Sequence, residues 1–429
     1  MLDKSNKGGA RMEHQRNNET MESLSDLIDS GKFQRADEFL KTRRTLTPLM
    51  RIHQAEVHTY FNRLDEAGAL LEPIQPQDLP VPEAARLALA RGEWRYWRFE
   101  YEAAEEQFHA AEWMYRYMED EYGEAKALYN LGRLQRRQAQ FDAAQDSLQK
   151  ALELMQEHRG EKKDYLKALI DFNLGVCAHH LGQLDKAADF YSSSMVTLNK
   201  LERGTYYGVA LSSYGMVLMR KGMYEESLSV LDQAIGVLQD VGAFEPLGSA
   251  MNNTALTLIR LQRFDEAEKL LQESLELHER ANDIAGVSVI LETLAKLFLE
   301  LPDLRQAEKY AKEAIEQADL SHNDLIKAQA LISLGRVSLE RNDFLPDDKP
   351  LHQARELAEK LDDKVLQMTA LLYLAECELF CRPIIARERL AQVKKMLEEH
   401  PYIWLVQEVE RIVQRIQGER MRITPDNWL

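Results

Sequence analysis

Cysteine is scarce. Cys177, Cys377 and Cys381 are too few and too late in the chain for a disulfide framework, which fits a reducing compartment. Cys377 and Cys381 share a helical face at i, i+4, but two thiols with no nearby histidine pair are read as small buried hydrophobes, not a metal site. No run of 18 apolar residues occurs, and Met1 to Asn18 hold no apolar stretch of signal-peptide length. The expectation is a cytoplasmic protein without a membrane partner. Basic residues are the minority: 54 Lys and Arg against 71 Asp and Glu give a net charge of −17, which repels phosphate backbones and argues against direct nucleic-acid binding. Also missing are a GxxxxGK(S/T) phosphate loop, GxSxG, HExxH and any CxxC pair. The expectation is therefore no enzyme, no catalytic residue, no metal and no cofactor. Adjacent His179 and His180 point about 100° apart on a helix and cannot easily chelate one ion.

What the chain does have is a period. A turn, an aromatic or leucine, two mostly polar residues and a small residue recur as Tyr101 to Ala104, Phe141 to Ala144, Leu184 to Ala187, Tyr224 to Ser227, Phe264 to Ala267 and Leu304 to Ala307. The small residues lie 40, 43, 40, 40 and 40 positions apart. A single-core domain has no reason to produce that spacing, whereas a stack of two-helix units does. With 45% hydrophobic and 29% charged residues, such a stack buries a continuous core and solvates its outside.

One unit shows the chemistry. Leu128, Leu131, Gly132 and Leu134 make one apolar stripe at the 3.6-residue period. A turn is expected at Gln138 to Gln140, followed by a second helix whose inner side holds Phe141, Ala144, Leu148 and Ala151. Gly132 and Ala144 are small enough to let the two helices approach closely. Asp142 places a negative charge near the start of the second helix, where the dipole favours it.

Asn130-Leu131-Gly132, Asn173-Leu174-Gly175 and Ser333-Leu334-Gly335 on first helices, turns such as Gly222-Met223-Tyr224, and second-helix sets such as Ala104, Phe108 and Ala111 resemble the tetratricopeptide repeat. Departures are Leu128, Ile170 or Leu211 where that family's tryptophan stands, and a period near 40 instead of 34. The longer period resembles the subgroup found in kinesin light chains, Gα-regulator scaffolds and bacterial peptide-pheromone receptors. The resemblance implies an all-α, right-handed superhelical solenoid of antiparallel helix pairs, about ten of them over residues 17–400. Residues 1–16 are expected to be disordered, and residues 401–429 to form a capping helix and tail, with Trp428 beyond a break at Pro425. Pro73, Pro76, Pro80 and Pro82 are expected to force an extended, non-helical connection, and a proline-bounded insertion falls at 343–350.

In the family resembled, first-helix positions line a concave groove. Two residues before the Gly-type position stand Asn130, Asn173, Ser213, Asn253, Thr293 and Ser333. This ladder either hydrogen-bonds the backbone of an extended peptide or simply repeats the family's ordinary preference there. Five residues after the Gly-type position the column reads Arg137, His180, Arg220, Arg260, Glu300 and Glu340, with Arg133 and Arg136 beside its start. One reading is a basic half-groove for an acidic ligand segment; the other is solvated side chains. Tyr129, Phe172, Val176, Met216, Met219, Leu256 and Ile259 lie between as groove floor or core.

The function expected is a non-enzymatic protein- or peptide-binding scaffold, with Tyr129, Asn130, Arg133, Arg137, Phe172, Asn173, His180, Ser213, Met216, Arg220, Asn253, Leu256 and Arg260 as contact residues. The alternative is a bacterial signal-peptide receptor that changes its superhelix on binding, or the regulatory region of a larger signalling protein. Residues 1–47 are too short and too evenly charged to supply a DNA-binding helix-turn-helix domain.

Overall fold

Seventeen-residue helices separated by three-residue turns set the period. They run Gly204–Arg220 (α11), Tyr224–Asp240 (α12), Phe244–Arg260 (α13), Phe264–Arg280 (α14), Ile284–Glu300 (α15) and Leu304–Leu320 (α16). Two helices and two turns make 40 residues. The computed structural model describes residues 24–341, 349–379, 382–399, 405–406 and 408–413. Cys381, Pro401, Trp428, residues 1–16 and most of the insertion at 343–350 lie outside them.

The helices before this run are residues 24–29 (α1), Phe33–Lys41 (α2), Pro48–Tyr60 (α3), Leu64–Leu71 (α4), Val81–Trp97 (α5), Tyr101–Tyr117 (α6), Glu121–Arg137 (α7), Phe141–Leu154 (α8), Glu161–His180 (α9) and Leu184–Lys200 (α10). After it come Asp324–Arg341 (α17), Lys349–Lys360 (α18), Lys364–Glu378 (α19) and Pro383–Glu399 (α20). The architecture is all-α, an array of antiparallel pairs in which odd-numbered helices come first and even-numbered ones second. The array divides into two compact units, residues 1–181 with 185–203, and 182–184 with 204–429.

Small residues bring each pair together. A Cβ added to Gly132 of α7 would lie 2.6 Å from Leu148 Cγ of α8, and one on Gly215 of α11 would lie 2.7 Å from Leu231 Cγ of α12. On α8, Ala144, Leu148 and Ala151 are fully buried, while Phe141 is half-buried and turns toward the next pair. The intervening turn closes through Ala139 at φ 60°, in the left-handed region. Asp120 starts α7 by accepting a hydrogen bond from the Gly123 amide at 3.0 Å.

The proline-rich connection departs from expectation at two prolines. Pro76 opens a short 3-10 helix, Pro76–Asp78, and Pro82 lies inside α5. It occupies the first turn, where no intrahelical N–H bond is lost and the fixed φ already suits a helix.

Within each unit, first helices pack on the first helices of neighbouring pairs, as α5 on α7 and α9 on α7, or α13 on α11 and α15. Second helices make no comparable contacts with one another among the described residues. First helices therefore form the inner layer of each unit's curve, and their free faces line its concave side.

Candidate functional site: the inner face of the first helices

Three columns of this layer were singled out by the sequence, and neighbours decide what each can do. In the first unit the polar ladder is spent on packing. Asn130 and Asn173 are 2% and 4% exposed. Asn130 Oδ1 accepts from Arg133 at 3.0 Å, and Asn173 donates to its own helix at the Leu169 carbonyl, 2.8 Å away. Arg133 also donates to Glu93 Oε1 at 2.7 Å, and its guanidinium lies over the rings of Tyr96 and Tyr129. Its charge is thus neutralised inside the layer. Tyr129 is itself buried, which raises its hydroxyl pKa.

The basic column of this unit runs along the hairpin-turn side. Exposed Arg137 makes a long 3.4 Å hydrogen bond to the Tyr101 hydroxyl and lies over the Phe99 ring. Exposed His180 stacks on Phe141 with centroids 4.4 Å apart. Each therefore sits over the start of the preceding second helix. Half-buried Phe172 tilts against fully buried Tyr191.

The second unit keeps more of the same columns open. Ser213, Met216, Asn253 and Leu256 are half-buried, whereas Arg220 and Arg260 are exposed at the ends of α11 and α13. Asn253 donates to Ser212 at 2.9 Å, tying the two first helices together. Arg260 makes no ion pair among the described residues. Farther along, Thr293 and Ser333 are buried, with Thr293 donating to Val289 O and Ser333 to Glu292. The Glu300 carboxylate is met by Arg336 at 3.3 Å. Its negative charge is thereby balanced instead of being held for a ligand.

That last pair reveals the register. Arg336 stands one residue after its Gly-type position and Glu300 five residues after the previous one, so these columns meet between adjacent pairs. The same offsets in sequence fall on Leu256 with Arg220 and on Lys296 with Arg260. Lys296 is held at 2.7 Å by buried Glu292. What remains open is an apolar strip of Met216 and Leu256 flanked by arginines.

A second constellation escaped the sequence reading. In the first unit, Arg86 of α5 donates to Asp29 Oδ1 at 3.0 Å and to Glu56 Oε2 of α3 at 3.1 Å, while Lys126 of α7 reaches Asp29 at 2.7 Å. His53 Nδ1 lies 2.9 Å from Glu56. Burial pushes both carboxyls up, but Arg86 and Lys126 outweigh it, holding Glu56 at about 2 and Asp29 well below the usual carboxylate range. These residues are scattered over nearly a hundred positions with no repeated spacing, so no motif announces them.

Cys177 and Cys377 are buried, and burial pushes the Cys177 thiol up to about 11. Among the described residues no cluster of three or more His, Cys, Asp or Glu could hold a metal ion, and no helix is long and apolar enough to cross a membrane.

Paired helices with small residues at each crossing, and first helices forming the inner layer, define a tetratricopeptide-repeat protein. The tetratricopeptide-repeat family pattern matches residues 129–194, 206–280 and 246–319. Among solved structures, the chain is similar to a Rap protein complexed with competence and sporulation factor, at TM-score 0.63 and 15% identity, covering 84% of this chain and 99% of that one. It is similar to NprR in complex with its cognate peptide NprX, at TM-score 0.56 and 14% identity over 81% and 97% of the two chains. A third similar fold is aspartyl phosphate phosphatase F from Bacillus subtilis, at TM-score 0.53 and 14% identity over 81% and 94%. At these identities the likeness is one of fold. No curated protein sequence matches the chain.

Proposed function

We infer that this chain is a non-enzymatic repeat scaffold that holds a peptide or partner segment, acidic in part, against the inner face of its second unit. The observation that carries this reading is the open strip of Met216 and Leu256 on α11 and α13, bordered by exposed Arg220 and Arg260. Met216 and Leu256 are already half-buried, so covering what remains exposed of either gains only about 0.5–1 kcal/mol, and the arginines select the ligand's charge. Ser213 and Asn253 lie in the same face and offer hydrogen-bonding groups to a peptide backbone. The likeness to NprR holding its cognate peptide supports a peptide ligand, and with it the reading of a signal receptor.

The test is fluorescence anisotropy with labelled peptides that pair apolar residues with Asp or Glu, alongside the same peptides carrying Asn or Gln. Arg220→Glu with Arg260→Glu is expected to weaken the acidic peptides about tenfold or more, a larger effect than its change in thermal stability. Higher salt should weaken the same complexes. Equal affinity for acidic and neutralised peptides, or no effect of the double substitution, would remove this assignment.

A further inference from the structure

At the N-terminal ends of the first unit's inner helices lies a cleft of about 530 Å³, the size that small organic ligands occupy. Its walls come from α1, α3, α5, α7 and α9, and the end of α6 adds Tyr115. It is separate from the peptide face and does not depend on that reading.

Three groups in its lining have unspent bonding capacity. His53 is fully buried and lines the cleft, and its Nε2 has no hydrogen-bond partner. Burial and the neighbouring Arg86 lower its pKa, so the ring is neutral at neutral pH; with Nδ1–H donated to Glu56, Nε2 is left as an acceptor awaiting a donor. Glu83 makes no ion pair among the described residues. Among the described residues Lys163 Nζ is bonded only to an imidazole, at 2.9 Å from His158 Nδ1. Lys163 belongs to the first turn of α9, a helix whose N-terminus has no side-chain cap; the Lys163 and Asp164 amides bond the Gly160 carbonyl, which leaves those of Glu161 and Lys162 for a carboxylate. The other cations of the lining are balanced: Arg86 and Lys126 by Asp29 and Glu56, and Lys162 by Asp26 at 2.8 Å. Leu49, Pro82, Tyr115 and Tyr122 supply the apolar and aromatic surface.

A buried acceptor and a carboxylate together call for a donor of positive charge, and a lysine at an uncapped helix start calls for an anion. We propose that this cleft binds a free α-amino acid, its ammonium group donating to His53 Nε2 and Glu83 and its carboxylate received by Lys163 and the first turn of α9. Leu49, Pro82 and the tyrosines would then enclose the side chain.

Isothermal titration of the full chain with each standard L-amino acid tests this. At least one is expected to bind with a Kd at or below about 1 mM. Its N-acetyl derivative, which lacks the ammonium, and its amide, which lacks the carboxylate, should each bind about tenfold more weakly. The same loss is expected with Lys163→Ala and with Glu83→Gln, two residues outside the packed core. A tripeptide starting with that amino acid, whose carboxylate is displaced, should also bind more weakly. No amino acid binding at that level, derivatives or tripeptide binding as tightly as the free amino acid, or both variants binding like the parent would overturn the proposal.

Discussion

Arg86→Ala is expected to destabilise the first unit by about 3–5 kcal/mol, because it leaves two carboxylates buried with a single lysine between them. Arg86 is the only residue that bonds both Asp29 and Glu56 within 3.2 Å among the described residues, and it also donates to Ser25 at 2.7 Å. The loss should carry a pH signature. In the parent chain the Glu56 carboxyl is held at about 2 against an ordinary 4.5, so its stabilisation is complete above about pH 4.5 and is lost as pH falls toward 2. Without Arg86 the balance at Glu56 shifts toward burial, which favours the protonated form. The stability gap between parent and variant should therefore be widest at neutral pH and narrow below pH 4.5. Denaturant titrations followed by the fluorescence of Trp94, Trp97 and Trp113 report on this unit, with hydrogen exchange to localise the change. A gap that is the same at pH 7 and pH 3 would show that the network is not what the arginine supports.

The second large effect concerns the helix crossing between α5 and α6. Phe108 is 1% exposed, and a Cβ added to Gly92 would meet its ring at 2.4 Å. Phe108→Ala should cost about 3–5 kcal/mol through lost burial and the cavity left behind. Gly92→Ala should cost about 1–3 kcal/mol despite alanine's better helix propensity, because the buried ring has little room to move. The two are not expected to add. Once the ring is gone, the new methyl enters the space it left, and the double variant should be no less stable than Phe108→Ala alone. Additive losses in a double-mutant cycle would mean that Gly92 and Phe108 do not share that space.

Both experiments act on features of unequal visibility in the sequence. Gly132, Gly175 and Gly335 stand at fixed offsets from their second-helix partners, so the close approach of each pair is legible before any coordinates. The polar ladder was legible as a column but not as a role. Asn130 and Ser213 occupy the same register, yet Asn130 is buried against Arg133 whereas Ser213 keeps some exposure. The difference lies in what the neighbouring helix supplies. Arg133 itself looked like part of a basic half-groove and proved to be paired with Glu93, forty residues earlier. Pro82 was misplaced for another reason: proline excludes itself from helix interiors but not from first turns.

The sequence by itself determined the all-helical pairs, their 40-residue period and the small residues where helices cross. These follow from each helix's own periodicity, which is written locally in the chain. Only the tertiary structure decided which charges are spent and which face outward. Arg133 met Glu93, Glu300 met Arg336, and Asp29 met Arg86 and Lys126 across gaps in sequence that no local pattern links. Whether a charge can serve a ligand depends on the neighbour within a few ångströms, and stacking one helix pair on the next is what supplies that neighbour.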